Sequence, residues 1–141
     1  LTSAAALLGT WKMISWTREV LATGQVTNAL GPDPIGYIAY HADGRMMAFV
    51  AERDRPRPSA DAPTAEEKVA LFDSMLAYSA SYTLENDRVI HHVEAAWNPN
   101  WQMDLVRPFV LAGDKLVISG APGRDPLTGE DVIYRMEFHK M

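Results

Sequence analysis

The run Val89-Ile90-His91-His92-Val93-Glu94-Ala95 carries two imidazoles and a carboxylate among apolar residues, and Arg107 stands in a second such run, Leu105 to Leu111. Successive side chains of a strand face opposite sides. Val89, His91, Val93 and Ala95 therefore share the more apolar face, and Ile90, His92, Glu94 and Ala96 share the other. This parity predicts His91 inside and His92 with Glu94 outside or at a rim. It also turns Arg107 inward, on the face of Leu105, Phe109 and Leu111. An imidazole with an ordinary pKa of about 6.5 moves protons near neutral pH. A guanidinium fork holds a carboxylate, phenolate or enolate. His91 as acid/base and Arg107 as oxyanion stabiliser form the candidate catalytic pair. The plainer reading makes His91 a core or rim residue with one hydrogen bond. In that reading Arg107 is satisfied by Asp104, Glu94 or a carbonyl, because an isolated buried charge is strongly disfavoured. Candidate ligand contacts are the hydroxyls of Tyr82 and Tyr134, the rings of Trp97 and Trp101 as an aromatic lip around Asn98-Pro99-Asn100, Phe109, and the adaptable side chain of Met47. Each of these also fits ordinary packing.

Metal binding does not follow from this set. His91 and His92 point oppositely, His92 and Glu94 lack a third ligand, and His41 and His139 are distant in sequence. Phosphate-binding and dinucleotide-binding glycine loops are missing, as is a G-x-S-x-G elbow, and Ser79-Ala80-Ser81 has no elbow context. The reading is cofactor-free. The chain has no Cys, so thiolate and disulfide chemistry are excluded. Thirteen Lys and Arg against eighteen Asp and Glu give a net charge of -5, a field that repels nucleic acid. Arg53, Arg55 and Arg57 alternate with Asp54, Pro56 and Pro58 and read as a solvated loop. No apolar run approaches the ~20 residues that cross a bilayer. The expected partner is thus a small hydrophobic ligand or substrate, bound by a monomer or homodimer without membrane insertion. Ala4 to Leu8 lacks a basic flank and is not a visible signal peptide. A cytoplasmic location is expected, with a secreted form left open because Leu1 is an unusual true start.

The elements that must position these residues are mostly strands. With 141 residues, 48% hydrophobic and 22% charged, one globular domain over 1-141 is expected. Thr10 to Thr17 reads as the first strand, behind one apolar helical turn at Ala4 to Leu8. Ala22 to Pro34, dense in turn formers, is a candidate mouth loop. Gly36 to Tyr40 and Met46 to Ala51 form a hairpin turning at Gly44. Thr64 and Glu67 make a capping box, and Val69, Phe72, Met75 and Leu76 predict one helix of about fourteen residues ending near Tyr78. Tyr82 to Glu85, Val89 to Trp97, Leu105 to Leu111, Leu116 to Ser119 and Val132 to His139 follow as strands at hairpin spacing. A mainly β up-and-down antiparallel barrel with one inserted helix is the economical closure. A flat sheet with a helix on one face is the alternative.

Gly9-Thr10-Trp11-Lys12 resembles the G-x-W signature of lipocalin and calycin barrels. Further along, Val26-Thr27-Asn28 and Gly31, Pro34-Ile35-Gly36-Tyr37-Ile38-Ala39-Tyr40, Asp43-Gly44, Glu66-Glu67-Lys68, Ala77-Tyr78-Ser79, Tyr82, His91-His92-Val93-Glu94, Pro99-Asn100-Trp101, Arg107 and Gly113-Asp114-Lys115-Leu116 are similar to the bacterial and fungal lipocalin-like domain family. The likeness runs in order from about Leu7 to Phe138. It implies a lipocalin-like β-barrel around a cavity, and an Arg of the last strand, Arg135, packed over Trp11. Members of such families include carriers and cofactor-free enzymes of secondary metabolism, so fold alone leaves function open. Three expectations follow: binding of a hydrophobic, anionic aromatic or polyketide-like metabolite; an isomerase, cyclase or dehydratase using His91 and Arg107; or a structural or protein-interaction module with a filled barrel.

Overall fold

Antiparallel strands joined by short turns wind up and down through nearly the whole chain, and their alternation of buried and exposed side chains closes them around one interior. The structure, a computed structural model, describes residues 4–141. In order the elements are α1 (Ala4–Leu7), β1 (Gly9–Val20), β2 (Val26–Asn28), β3 (Ile35–Tyr40), β4 (Arg45–Ala51), α2 (Ala65–Asp73), β5 (Met75–Glu85), β6 (Arg88–Ala96), a 3-10 turn (Pro99–Trp101), β7 (Asp104–Ala112), β8 (Lys115–Ser119), β9 (Gly123–Arg124) and β10 (Asp131–Lys140). Pairing runs β1-β3-β4-β5-β6-β7-β8-β10, and β10 returns to β1, so eight strands close a barrel with no free edge. The short strands β2 and β9 extend β1 and β10 at one end.

Alternation sets the faces. Along β4, Met46, Ala48 and Val50 are buried while Arg45, Met47 and Phe49 face out. Met13, Ile38, Leu76, Ala80, Val89, Leu105, Leu116 and Phe138 meet them in the core. Two bulges interrupt the period. In β1 the pairing with β10 slips between Met13 and Ser15, which leaves Ile14 outside and brings Trp16 to the inner side after Trp11 and Met13. In β6 the register shifts opposite Ser79 and Ala80, so Ala96 and not Ala95 packs on the core. The strict alternation that places Ala95 with His91 is corrected there.

The helix is shorter than its apolar spacing predicts. Thr64 caps it, with its hydroxyl accepting from the Glu67 N–H at 3.1 Å and the Glu67 carboxylate accepting from the Thr64 N–H at 2.8 Å. It ends at Asp73, however, and Met75 and Leu76 open β5. Leu76 pairs with Val50 across the sheet, and strand pairing inside the barrel outweighs the helical spacing. Val69 and Phe72 are left exposed.

One barrel end is closed around Trp11. Its indole N–H donates to the Leu7 carbonyl at 2.9 Å, which ties α1 over the ring. The cation over the ring is Lys140, with Nζ 4.7 Å from the ring centroid and donating to the Leu8 carbonyl. Arg135 is therefore not the partner of Trp11. It pairs opposite Thr17, about 20 Å along the strand at ~3.3 Å per residue, and its guanidinium bonds Glu19 at 2.6 Å.

Candidate functional site

Inward parity on β6 and β7 delivers His91 and Arg107 to the barrel interior, and their surroundings differ sharply. His91 is 1% exposed, the only buried polar residue apart from tyrosines among the described residues. Tyr40, inward on β3, places its hydroxyl 2.7 Å from Nε2, and Tyr78, inward on β5, places its own 2.8 Å from Nδ1. A neutral imidazole has one N–H, so one phenol accepts from the ring and the other donates to it. Burial, reinforced by the charges of Arg107 and His92, pushes the His91 pKa down to about 3. Burial likewise lifts Tyr78 to about 12, a rise that Arg107 partly offsets, and lifts Tyr40 well above its usual value. The trio is a neutral, hydrogen-bonded core network at physiological pH.

Arg107 has no such satisfaction. Asp104 and Glu94 both lie on the outer face. Asp104 accepts from His92 at 2.8 Å, and both Glu94 oxygens accept from Arg45, at 2.7 and 2.9 Å. Among the described residues no carboxylate pairs with Arg107, and its only direct partner is the Trp101 ring, whose centroid is 6.0 Å from Cζ. Burial lowers its pKa from the ordinary guanidinium value, with the dipoles and potential charge of Tyr78 and Tyr40 opposing. It still stays protonated, as arginine does in proteins.

The guanidinium borders a cavity of about 620 Å³, partly open to solvent. Trp16 of β1, Ile118 and Ser119 of β8, Tyr134 and Met136 of β10, and Trp101 of the 3-10 turn form its walls, and Ala29, Gly120 and Ala121 come from the connecting loops. Nη1 of Arg107 reaches to 3.6 Å from where a Cβ on Gly120 would stand, so the missing side chain leaves room beside the charge. The loop after β9 is tied back to β1 by Arg18, which bonds Asp125 at 2.7 Å. A hollow of this volume takes a metabolite of one to three rings. The buried Trp16 indole N–H has no partner among the described residues.

The profile of the lipocalin-like domain family matches residues 8–131. The chain belongs to this family. No curated protein and no solved structure matches it. In this lipocalin-like domain the resemblance read from the G-x-W segment and the hairpin motifs is thus shown for fold and family.

The proposed site residues are divided by the fold. Arg107, Trp101 and Tyr134 share the cavity wall. His91 lies behind it in the core, and Phe109 is packed there too. The Tyr82 hydroxyl donates to the His41 carbonyl at 2.8 Å, at the β3–β4 turn. Trp97 donates to the Phe72 carbonyl at 3.1 Å and packs its ring on Trp101 at 5.3 Å. Met47 is on the outer surface. Parity on β3 and β5 held a signal for Tyr40 and Tyr78, which share faces with Ile38 and with Leu76 and Ala80. Trp16 and Met136 gave no such signal, because the β1 bulge decides which way Trp16 points.

Proposed function

We propose that this lipocalin-like domain binds a small, largely apolar metabolite carrying a carboxylate, phenolate or enolate, with Arg107 holding the anionic end. The carrying observation is a partly buried guanidinium on the wall of an aromatic-lined cavity, with no acidic partner among the described residues. Such a charge is costly until an anion meets it, and a bidentate carboxylate or an enolate oxygen supplies that anion. Trp16 and Trp101 offer flat faces to an aromatic or polyketide-like ring system, Ile118 and Met136 offer apolar contact, and Ser119 and Tyr134 offer hydroxyls. The isomerase, cyclase or dehydratase reading has less support. Both nitrogens of His91 are engaged by tyrosines, the ring stands off the cavity wall, and its pKa of about 3 leaves it a poor base near pH 7.

Titration by tryptophan fluorescence with matched aryl carboxylates and carboxamides tests the reading. The wild type should prefer the carboxylate by about tenfold or more, the worth of one hydrogen-bonded charge. Arg107→Met should lose that preference while still binding the amide. Equal affinity for both members of each pair in the wild type would remove Arg107 from the site.

A further inference from the structure

The outer face of β3 and β4, with the adjoining start of β5 and end of β6, is almost free of charge. Two cross-strand rows cover it. One runs Tyr37, Phe49, Ala77, and the next runs Ala39, Met47, Ser79, Ala95. Tyr37 is 42% exposed, Met47 57% and Phe49 54%, each a large apolar side chain standing in water. With Trp97 they wall a shallow hollow of about 560 Å³ whose floor is the small side chains.

We propose that this face is the contact between two copies of the chain. Three observations select a second copy. The first is size: the three large side chains expose roughly 300–400 Å², and the small residues and Trp97 bring the patch to roughly 500–600 Å² per copy, the size of a weak, reversible interface. The second is charge anatomy. Aromatic and Met side chains occupy the centre, and the nearest charges, Arg45 and Glu94, neutralise each other at the rim with bonds of 2.7 and 2.9 Å. A central region depleted of charge inside a polar rim is the composition of a protein interface. Copies that each carry a charge of -5 repel over most of their surfaces, and this neutral face is where they can approach. The third is shape. A two-fold axis lying in the interface, parallel to the strands between β4 and β5, sets Phe49 and Met47 of one copy over Ala77 and Ser79 of the other, so large side chains meet small ones as an isologous contact demands. An anionic lipid surface would require cations, and the Arg at the rim of this patch, Arg45, is already paired. The inference is independent of what the cavity binds.

Sedimentation velocity over a concentration series reads the outcome directly. The wild type should pass from monomer to dimer at or below about 100 μM, where an interface of this size is populated. Met47→Glu and Phe49→Glu should each raise the dissociation constant about tenfold or more by placing like charges near the axis. Val110→Glu, on the exposed outer face of β7, should leave it unchanged. The chain has no Cys, so Ser79→Cys offers a single thiol, and a bis-maleimide spanning about 10 Å, the spacing of packed sheets, should link its dimers much faster than those of Val110→Cys. A wild type that stays monomeric through this range overturns the proposal. So does a dimer indifferent to both Glu substitutions, a Ser79→Cys that links no faster than Val110→Cys, or a monomer that instead binds neutral lipid vesicles.

Discussion

The Tyr78 hydroxyl meets Nδ1 of His91 at 2.8 Å in a place almost closed to solvent, so the ring is held neutral where an unfolded chain would let it charge. This makes stability depend on pH with a definite sign. The free imidazole titrates at 6.5 and the folded one near 3, so between those values the unfolded state binds more protons. The stabilisation is complete above pH 6.5 and is lost as the pH falls toward 3. Its slope approaches about 1.4 kcal/mol per pH unit. Urea unfolding of the wild type should weaken between about pH 6.5 and 5, before most carboxylates titrate. His91→Phe should flatten that slope while costing about 1–3 kcal/mol at pH 7 for each hydroxyl left unpaired.

Arg107 should behave in the opposite way from a structural ion-pair partner. With no acidic partner among the described residues to orphan, Arg107→Met removes a partly buried charge and places an apolar chain among Leu105, Phe109 and Leu111. Thermal unfolding without ligand should show unchanged or raised stability, where loss of a true buried pair costs about 3–5 kcal/mol. A drop of that size would reveal a protein acceptor.

At the closed end, Trp11→Ala should cost about 3–5 kcal/mol by emptying the space under α1. Lys140→Met should cost about 0.5–2 kcal/mol through the lost cation–ring contact. Arg135→Met should cost less than about 1 kcal/mol, since its pair with Glu19 is partly exposed. Denaturant midpoints of the three variants give this ranking, and an Arg135 variant as damaged as the Trp11 variant would contradict the assignment of Lys140.

Gly36 is the backbone position least able to change. Its φ is +136°, and a Cβ there would sit 2.0 Å from the Phe49 carbonyl oxygen of the paired strand. Gly36→Ala should cost more than about 2–3 kcal/mol, the strain of the conformation plus a displaced strand. A chemical-denaturation midpoint close to that of the wild type would refute it.

Much of the fold was legible because its signals are local. Turn residues at hairpin spacing, period-two alternation and a Thr64–Glu67 capping box each act within a few residues, so strands, barrel class and helix start could be read in order. Parity alone was enough to send His91 and Arg107 inward. The helix end could not be read that way, since Met75 and Leu76 fit a helical stripe equally well and only the pairing of β5 with β4 settles them.

What the sequence by itself determined is a cysteine-free, acidic, strand-rich chain of the lipocalin-like family with an inward cation on β7. Tertiary structure decided everything that depends on register between strands distant in sequence. The β1–β10 pairing set Lys140 and not Arg135 over Trp11, and the bulge near Ile14 turned Trp16 toward the cavity. The same closure joined Tyr40 and Tyr78 around His91 and left Arg107 facing open space. The physical reason is that a one-residue slip reverses the direction of a strand's side chains, and only the closed hydrogen-bond ladder fixes where such slips occur.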